Sequence, residues 1–89
     1  MPKIRAFQIA PLPLETQAAL QELGHLLAMA RKGRGYSQRV LADMMGVAPA
    51  TLVSLEKGAP TVQIGHYARA AWLLDAPFPF WQHPDDSAS

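Results

Sequence analysis

The segment that decides the fold is residues 36–58, YSQRVLADMMGVAPATLVSLEKG. Ser37 belongs to the residue types that cap helix N-termini, because its hydroxyl oxygen accepts a backbone N–H of the first turn. It predicts a helix over residues 38–45. Gly46 follows, and it suits the left-handed conformation that ends many helices, since glycine has no Cβ to clash. The first part of the segment is therefore a short helix with a defined start and end.

A second short helix follows after a three-residue turn. Pro49 fits the first helical turn, where no backbone N–H is needed. We predict this helix over residues 50–57, with Gly58 ending it. Two short helices joined by a tight turn that contains a glycine are typical of a helix-turn-helix.

Further helices are predicted on both sides of this pair. Residues 14–32 carry apolar side chains at helical spacing. Gly24 lies in the middle of that helix and indicates a close crossing by another helix. A fourth helix begins near residues 61–63, and one apolar stripe is expected along it: Ile64, Tyr67, Ala70, Ala71 and Leu74. The predicted fold class is all-α, a compact bundle of four to five helices.

A chain of 89 residues has room for one small domain. We predict a short N-terminal arm over residues 1–12, the helix-turn-helix domain over residues 13–76, and an aromatic segment with a flexible acidic tail over residues 77–89.

Hydrophobic residues make up 49% of the chain and charged residues only 17%. A small domain cannot bury all of these apolar side chains in its own core. This composition therefore favours an oligomer, in which a second copy covers the remaining apolar surface.

The composition also excludes several classes of protein. There is no cysteine, which excludes a disulfide scaffold, a thiol nucleophile and a cysteine-based metal site. The three histidines are scattered over different elements, so we expect neither a metal nor a cofactor. No apolar run approaches the roughly 20 residues of a membrane span, and the N-terminus does not resemble a signal peptide. We therefore expect a cytoplasmic protein without membrane contact, and, lacking a catalytic constellation, not an enzyme.

The charge is concentrated in the centre of the sequence. The whole chain has a net charge of +1, but residues 31–57 hold five basic and two acidic side chains. A basic centre suits a phosphate backbone, although a solvated turn rich in Arg and Lys has the same composition.

The central segment closely resembles the Cro/C1-type (Xre) helix-turn-helix. The residues that carry the resemblance are Ser37-Gln38, Leu41-Ala42, Gly46-Val47, Leu52 and Glu56-Lys57-Gly58, and the similarity covers residues 23–74. Residues 60–74 look like the fourth helix of small HipB-like antitoxins, which are often paired with HipA-like kinase toxins. The resemblance implies a DNA-binding transcription regulator with a toxin protein as a further partner. Because the composition favours an oligomer, we expect a homodimer on a palindromic operator.

The resemblance also assigns roles to individual residues. It implies an ion pair between Arg31 and Glu56 that ties the first helix to the recognition helix. The residues that it places opposite DNA bases are Pro49, Ala50, Val53 and Ser54. The residues that it places on DNA phosphates are Arg34, Ser37, Gln38, Arg39, Thr51 and Lys57. Family members commonly have long polar side chains at the base-facing positions, whereas this chain offers no bidentate Arg–guanine or Gln–adenine pair there.

Two apolar groups remain open to more than one interpretation. Val40 and Met44 lie at i and i+4 of one helix, at positions that are usually polar in the family; they either enlarge the core or form an exposed spot for a partner. Phe78, Phe80 and Trp81 follow the last helix behind two prolines. They form either a dimer interface or a cover folded back on their own chain.

Three functions fit this sequence. The first is an autorepressing antitoxin that binds both its operator and a HipA-like toxin. The second is a phage-type or metabolic repressor without a toxin. The third is a protein-interaction module that keeps the fold and binds DNA weakly, which the apolar recognition helix makes conceivable.

Overall fold

The computed structural model describes residues 11–78, which contain four α-helices. Their bounds are α1 (Leu14–Gly33), α2 (Gln38–Met45), α3 (Pro49–Glu56) and α4 (Ile64–Leu74). The predicted all-α class with a helix-turn-helix is confirmed, and no fifth helix lies among residues 11–78. Residues 1–10 of the expected arm and residues 79–89 of the expected tail lie outside the described residues.

The two short helices have the predicted start and stop residues, although α3 begins and ends one residue earlier than predicted. The Ser37 Oγ accepts the Val40 N–H at 3.1 Å, which caps the start of α2. Gly46 then ends α2 with φ 73°. Pro49 occupies the first turn of α3, and Gly58 follows that helix with φ 76°. Local residue types therefore set the bounds of the helix pair.

A single core lies where the four helices meet. α1 packs against α3 and α4, and α2 packs against α3. The buried apolar side chains are Leu27, Leu41, Ala42, Met45, Leu52, Leu55, Tyr67, Ala70, Ala71, Leu74 and Ala76. Only two of them belong to α3, so its remaining surface is not required for the core.

Gly24 marks a close crossing, as the sequence predicts. A Cβ at this position would lie 2.5 Å from the carbonyl oxygen of Leu55 and 2.6 Å from that of Glu56. Both atoms belong to the backbone near the end of α3. α1 can therefore approach α3 this closely only because residue 24 lacks a side chain.

The exposure of three apolar residues corrects one sequence-based expectation and decides one alternative that the sequence left open. Ile64 is 67% exposed and does not continue the buried stripe of α4. Val40 and Met44 are 45% and 42% exposed, so they do not enlarge the core. They lie on the outer side of α2 because the inner side is already filled by Leu41 and Met45.

Of the three aromatic residues that follow α4, the structure describes Phe78. Phe78 is half-buried and packs against the core, in a groove that it shares with Leu23 and Leu26 of α1. Its ring therefore folds back on its own chain, which is the second of the two interpretations. Phe80 and Trp81 lie outside the described residues. Trp72 of α4 is 63% exposed.

Candidate nucleic-acid interface

The four positions that the family resemblance places opposite DNA bases lie on α3. Leu52 and Leu55 point into the core and are fully buried. Ala50, on the opposite side, is exposed, and so is Pro49, which lies one turn before Leu52. The other two base-facing candidates are half-buried, namely Val53 and Ser54. The exposed side is therefore small and largely apolar at its N-terminal end.

A buried ion pair holds α3 in place against α1. The Arg31 Nε donates to the Glu56 Oε2 at 2.7 Å, and the Arg31 Nη2 to the Oε1 at 3.2 Å. The Arg31 Nη1 also donates to the Tyr36 carbonyl at 2.9 Å. One guanidinium thus joins α1, the turn before α2 and the end of α3. Such two-pronged pairs fix orientation as well as distance.

Gln38 belongs to the same cluster. Its Nε2 donates to the Glu56 Oε1 at 2.9 Å, which links the start of α2 to the end of α3. The family resemblance implies a DNA phosphate as the partner of this amide, which stays a prediction, and it does not indicate the contact with Glu56. One Nε2–H remains for an outside acceptor, since a side-chain amide has two donors. The structure gives Gln38 a part in setting the angle between the two helices.

Arg34 lies beside the C-terminus of α4. Its Nε donates to the Leu74 carbonyl at 3.1 Å, at the C-terminus of α4. A cation there complements the helix dipole and satisfies a carbonyl that has no helical partner. α4 has 11 residues and is therefore about 16 Å long. Its N-terminal end lies beside Ala50, Thr51 and Ser54 of α3. This contact gives Arg34 a place in the fold, and its contact with a DNA phosphate stays a prediction.

Other phosphate candidates have different surroundings. Ser37 uses its Oγ to cap α2. Arg39 is exposed in the first turn of α2, and Lys57 is exposed at the end of α3. Thr51 is half-buried on α3. Both exposed cations lie near the C-terminal end of α3, because Gln38, the neighbour of Arg39, contacts Glu56, the neighbour of Lys57. At that end they suit contacts with a DNA backbone.

A polar groove beside α3 was missed by sequence reasoning. It has a volume of about 350 Å³ and lies between α3 and the start of α4. One wall holds Ala50, Thr51 and Ser54. The opposite wall consists of residues 61–63 and His66. The sequence feature that indicates this groove is the short connection from Gly58 to residue 63. Because the connection is short, its polar residues stay beside α3, the helix that precedes it.

Comparison with protein families agrees with this geometry. The match to the helix-turn-helix family covers residues 27–65, which include α2, α3 and the turn between them. Within the matched residues, α2 and α3 have the arrangement of a helix-turn-helix. In the comparison with curated proteins, no match was found. The helix-turn-helix family match supports a DNA-binding transcription regulator.

Two further observations concern other kinds of site. Residues 11–78 contain no group of three His, Cys, Asp or Glu side chains that could hold a metal ion. In the same part of the chain, no helix has the length and apolar character needed to cross a membrane.

Proposed function

We propose that this helix-turn-helix protein is a repressor that binds double-stranded DNA with α3 in the major groove. The observation that carries the proposal is the side of α3 opposite Leu52 and Leu55, which the core does not use. The buried Arg31–Glu56 pair holds that helix at a fixed angle. A preformed helix of this size fits the major groove, which is about 12 Å wide.

Phosphate contacts supply most of the affinity in this proposal. Arg39 and Lys57 are exposed cations beside α3. The second Nε2–H of Gln38 and the N-terminal N–H groups of α2 add donors for the same backbone. Neutralising each phosphate releases condensed counterions, so the affinity should fall steeply with salt.

A palindromic operator and a homodimer belong to the same proposal. One α3 helix offers few base contacts, so a second copy on a second half-site is needed for useful affinity. In a two-fold dimer the two recognition helices would lie about 34 Å apart, one turn of DNA. Phe80 and Trp81 remain the proposed interface, with the exposed spot of Val40 and Met44 as the alternative.

The finer proposal is that the repressor is an antitoxin that also binds a HipA-like kinase toxin. Its support is the resemblance of residues 60–74 to the fourth helix of such antitoxins. The exposed apolar spot of Val40 and Met44 offers a surface for that partner. A repressor without a toxin uses the same DNA-binding surface and needs no such partner.

Fluorescence anisotropy with duplex DNA from upstream of the gene tests DNA binding. We expect tight binding that weakens with salt and exceeds binding to unrelated duplexes by about 10³-fold or more. Equal, weak binding to all duplexes would favour the interaction module instead. Light scattering without DNA gives the mass of the oligomer. Co-purification with the product of a neighbouring kinase-like gene separates the antitoxin from the repressor without a toxin.

A further inference from the structure

The recognition helix has too few polar groups to specify an operator by itself. Ala50 and Val53 can contact thymine methyl groups, and the Ser54 hydroxyl can make a hydrogen bond. No side chain on the exposed side of α3 offers the bidentate Arg–guanine or Gln–adenine contact. A chain that binds a particular operator, as proposed above, needs base-reading groups from elsewhere.

The opposite wall of the groove beside α3 carries such groups. Gln63 is exposed, and its side chain makes no hydrogen bond that caps α4. His66 is half-buried and lies one turn further along the same wall. Ala50 and Ser54 line the same groove from α3. A base edge that approaches α3 therefore also approaches the amide and the imidazole.

The chemistry of these two side chains suits purines. A glutamine amide can donate to N7 and accept from N6–H of one adenine, the two-bond contact that α3 lacks. An imidazole N–H can donate to the N7 or O6 of a guanine. Ser54 can add one hydrogen bond to either base.

We propose that Gln63 and His66 read base edges in the operator, with Gln63 selecting adenine. The base-reading surface then extends from α3 across the groove to the start of α4. This inference rests on the proposed function, because it assumes that α3 enters the major groove.

Selection from a library of random DNA duplexes tests the inference, and it does not require a known operator. The intact protein should enrich a palindromic motif. We expect Gln63→Ala to lose roughly 5- to 100-fold of the base preference at one position of each half-site, while other positions keep theirs. His66→Ala should relax a different position. Gln63→Glu should exchange the preference at its position from adenine to cytosine, whose N4–H₂ donates to a carboxylate.

Ile64→Ala is the matched control. Ile64 is the neighbour of Gln63 but lines a separate, apolar groove with Leu20 and Tyr67. This variant should enrich the same motif as the intact protein. Thermal melting of each variant checks that it is folded, and the gain of a cytosine preference by Gln63→Glu cannot result from unfolding.

Two outcomes would overturn the inference, and they have different meanings. If the Gln63 and His66 variants enrich the unchanged motif with uniformly lower affinity, these residues contact phosphates only, and the proposed function stands. If the intact protein enriches no motif at all, the proposed operator binding fails and this inference fails with it.

Discussion

Arg31 and Glu56 form an ion pair inside the protein, with 2.7 Å between the Arg31 Nε and the Glu56 Oε2 and side chains only 9% and 8% exposed. Removing one partner leaves a buried charge without compensation, which costs about 3–5 kcal/mol. A small domain has a total stability of about 5–15 kcal/mol. The pair is therefore a condition for a stable fold.

Glu56→Ala should lower the melting temperature by at least about 12 °C, because each kcal/mol is worth about 4–8 °C in a domain of this size. Circular dichroism during thermal unfolding measures the change. Glu22→Ala is the control, since Glu22 is an exposed carboxylate on α1. A Glu56→Ala protein that melts like the parent would contradict the assigned role of the pair.

Gln38→Ala should destabilise the protein even in the absence of DNA. The variant loses a hydrogen bond to the Glu56 carboxylate, and bonds to charged groups contribute about 1.5–3 kcal/mol. Urea unfolding without DNA measures this loss. If stability is unchanged and only the affinity for DNA falls, Gln38 acts on phosphate alone.

Gly24→Ala should also destabilise the protein, although alanine is the better helix former by about 1 kcal/mol. The added Cβ would meet the Leu55 carbonyl at 2.5 Å, and backbone atoms cannot move aside. We expect a net loss of about 1–3 kcal/mol in urea unfolding. Gly33→Ala is the matched control on the same helix, because nothing lies within 4 Å of a Cβ at position 33. Equal stability of both variants would show that α1 and α3 do not cross this closely.

Arg39→Ala should reduce the slope of log affinity against log salt by about one unit, since one phosphate contact is lost. The affinity should fall by a similar factor for every DNA sequence. Arg34→Ala removes the same charge from the far end of α4, where the side chain binds the Leu74 carbonyl. We expect that variant to keep the slope and to melt earlier. A reduced slope for Arg34→Ala and an unchanged slope for Arg39→Ala would show that Arg34, and not Arg39, contacts the phosphate.

Stability should decrease as the pH rises above about 10, in part because of Tyr67. Burial raises the pKa of the Tyr67 phenol above its ordinary value of 10.0, since its charged form is poorly solvated inside the protein. The folded state then holds the phenolic proton more tightly than the unfolded state. The stability that the protonated Tyr67 phenol contributes is fully present below the pKa that it has in the unfolded chain. This stability is lost as the pH rises through its pKa in the folded protein.

Tyr67→Phe should flatten this alkaline decrease in urea unfolding between about pH 8 and pH 11. At the lower pH the variant should lose about 1 kcal/mol, because the Tyr67 hydroxyl donates to the Ala59 carbonyl at 2.7 Å. An unchanged alkaline decrease in the variant would show that the phenol is not the group responsible.

The sequence by itself determined the helices and most of their ends. Capping by Ser37 and the left-handed glycines at 46 and 58 depend only on neighbours in the chain, so residue type is sufficient to predict them. Gly24 was also informative, because a glycine weakens the middle of an apolar helix unless it permits a close approach. The Arg31–Glu56 pair followed from the family resemblance and not from spacing.

The tertiary structure alone decided which polar side chains meet. Gln38 pairs with Glu56, Arg34 with the Leu74 carbonyl, and residues 61–63 return beside α3. It also decided that Val40 and Met44 stay on the surface. Each outcome depends on the angles and distances at which the helices cross, and those result from many small packing contacts between residues far apart in the chain. Local sequence patterns carry little information about the combined effect of these contacts.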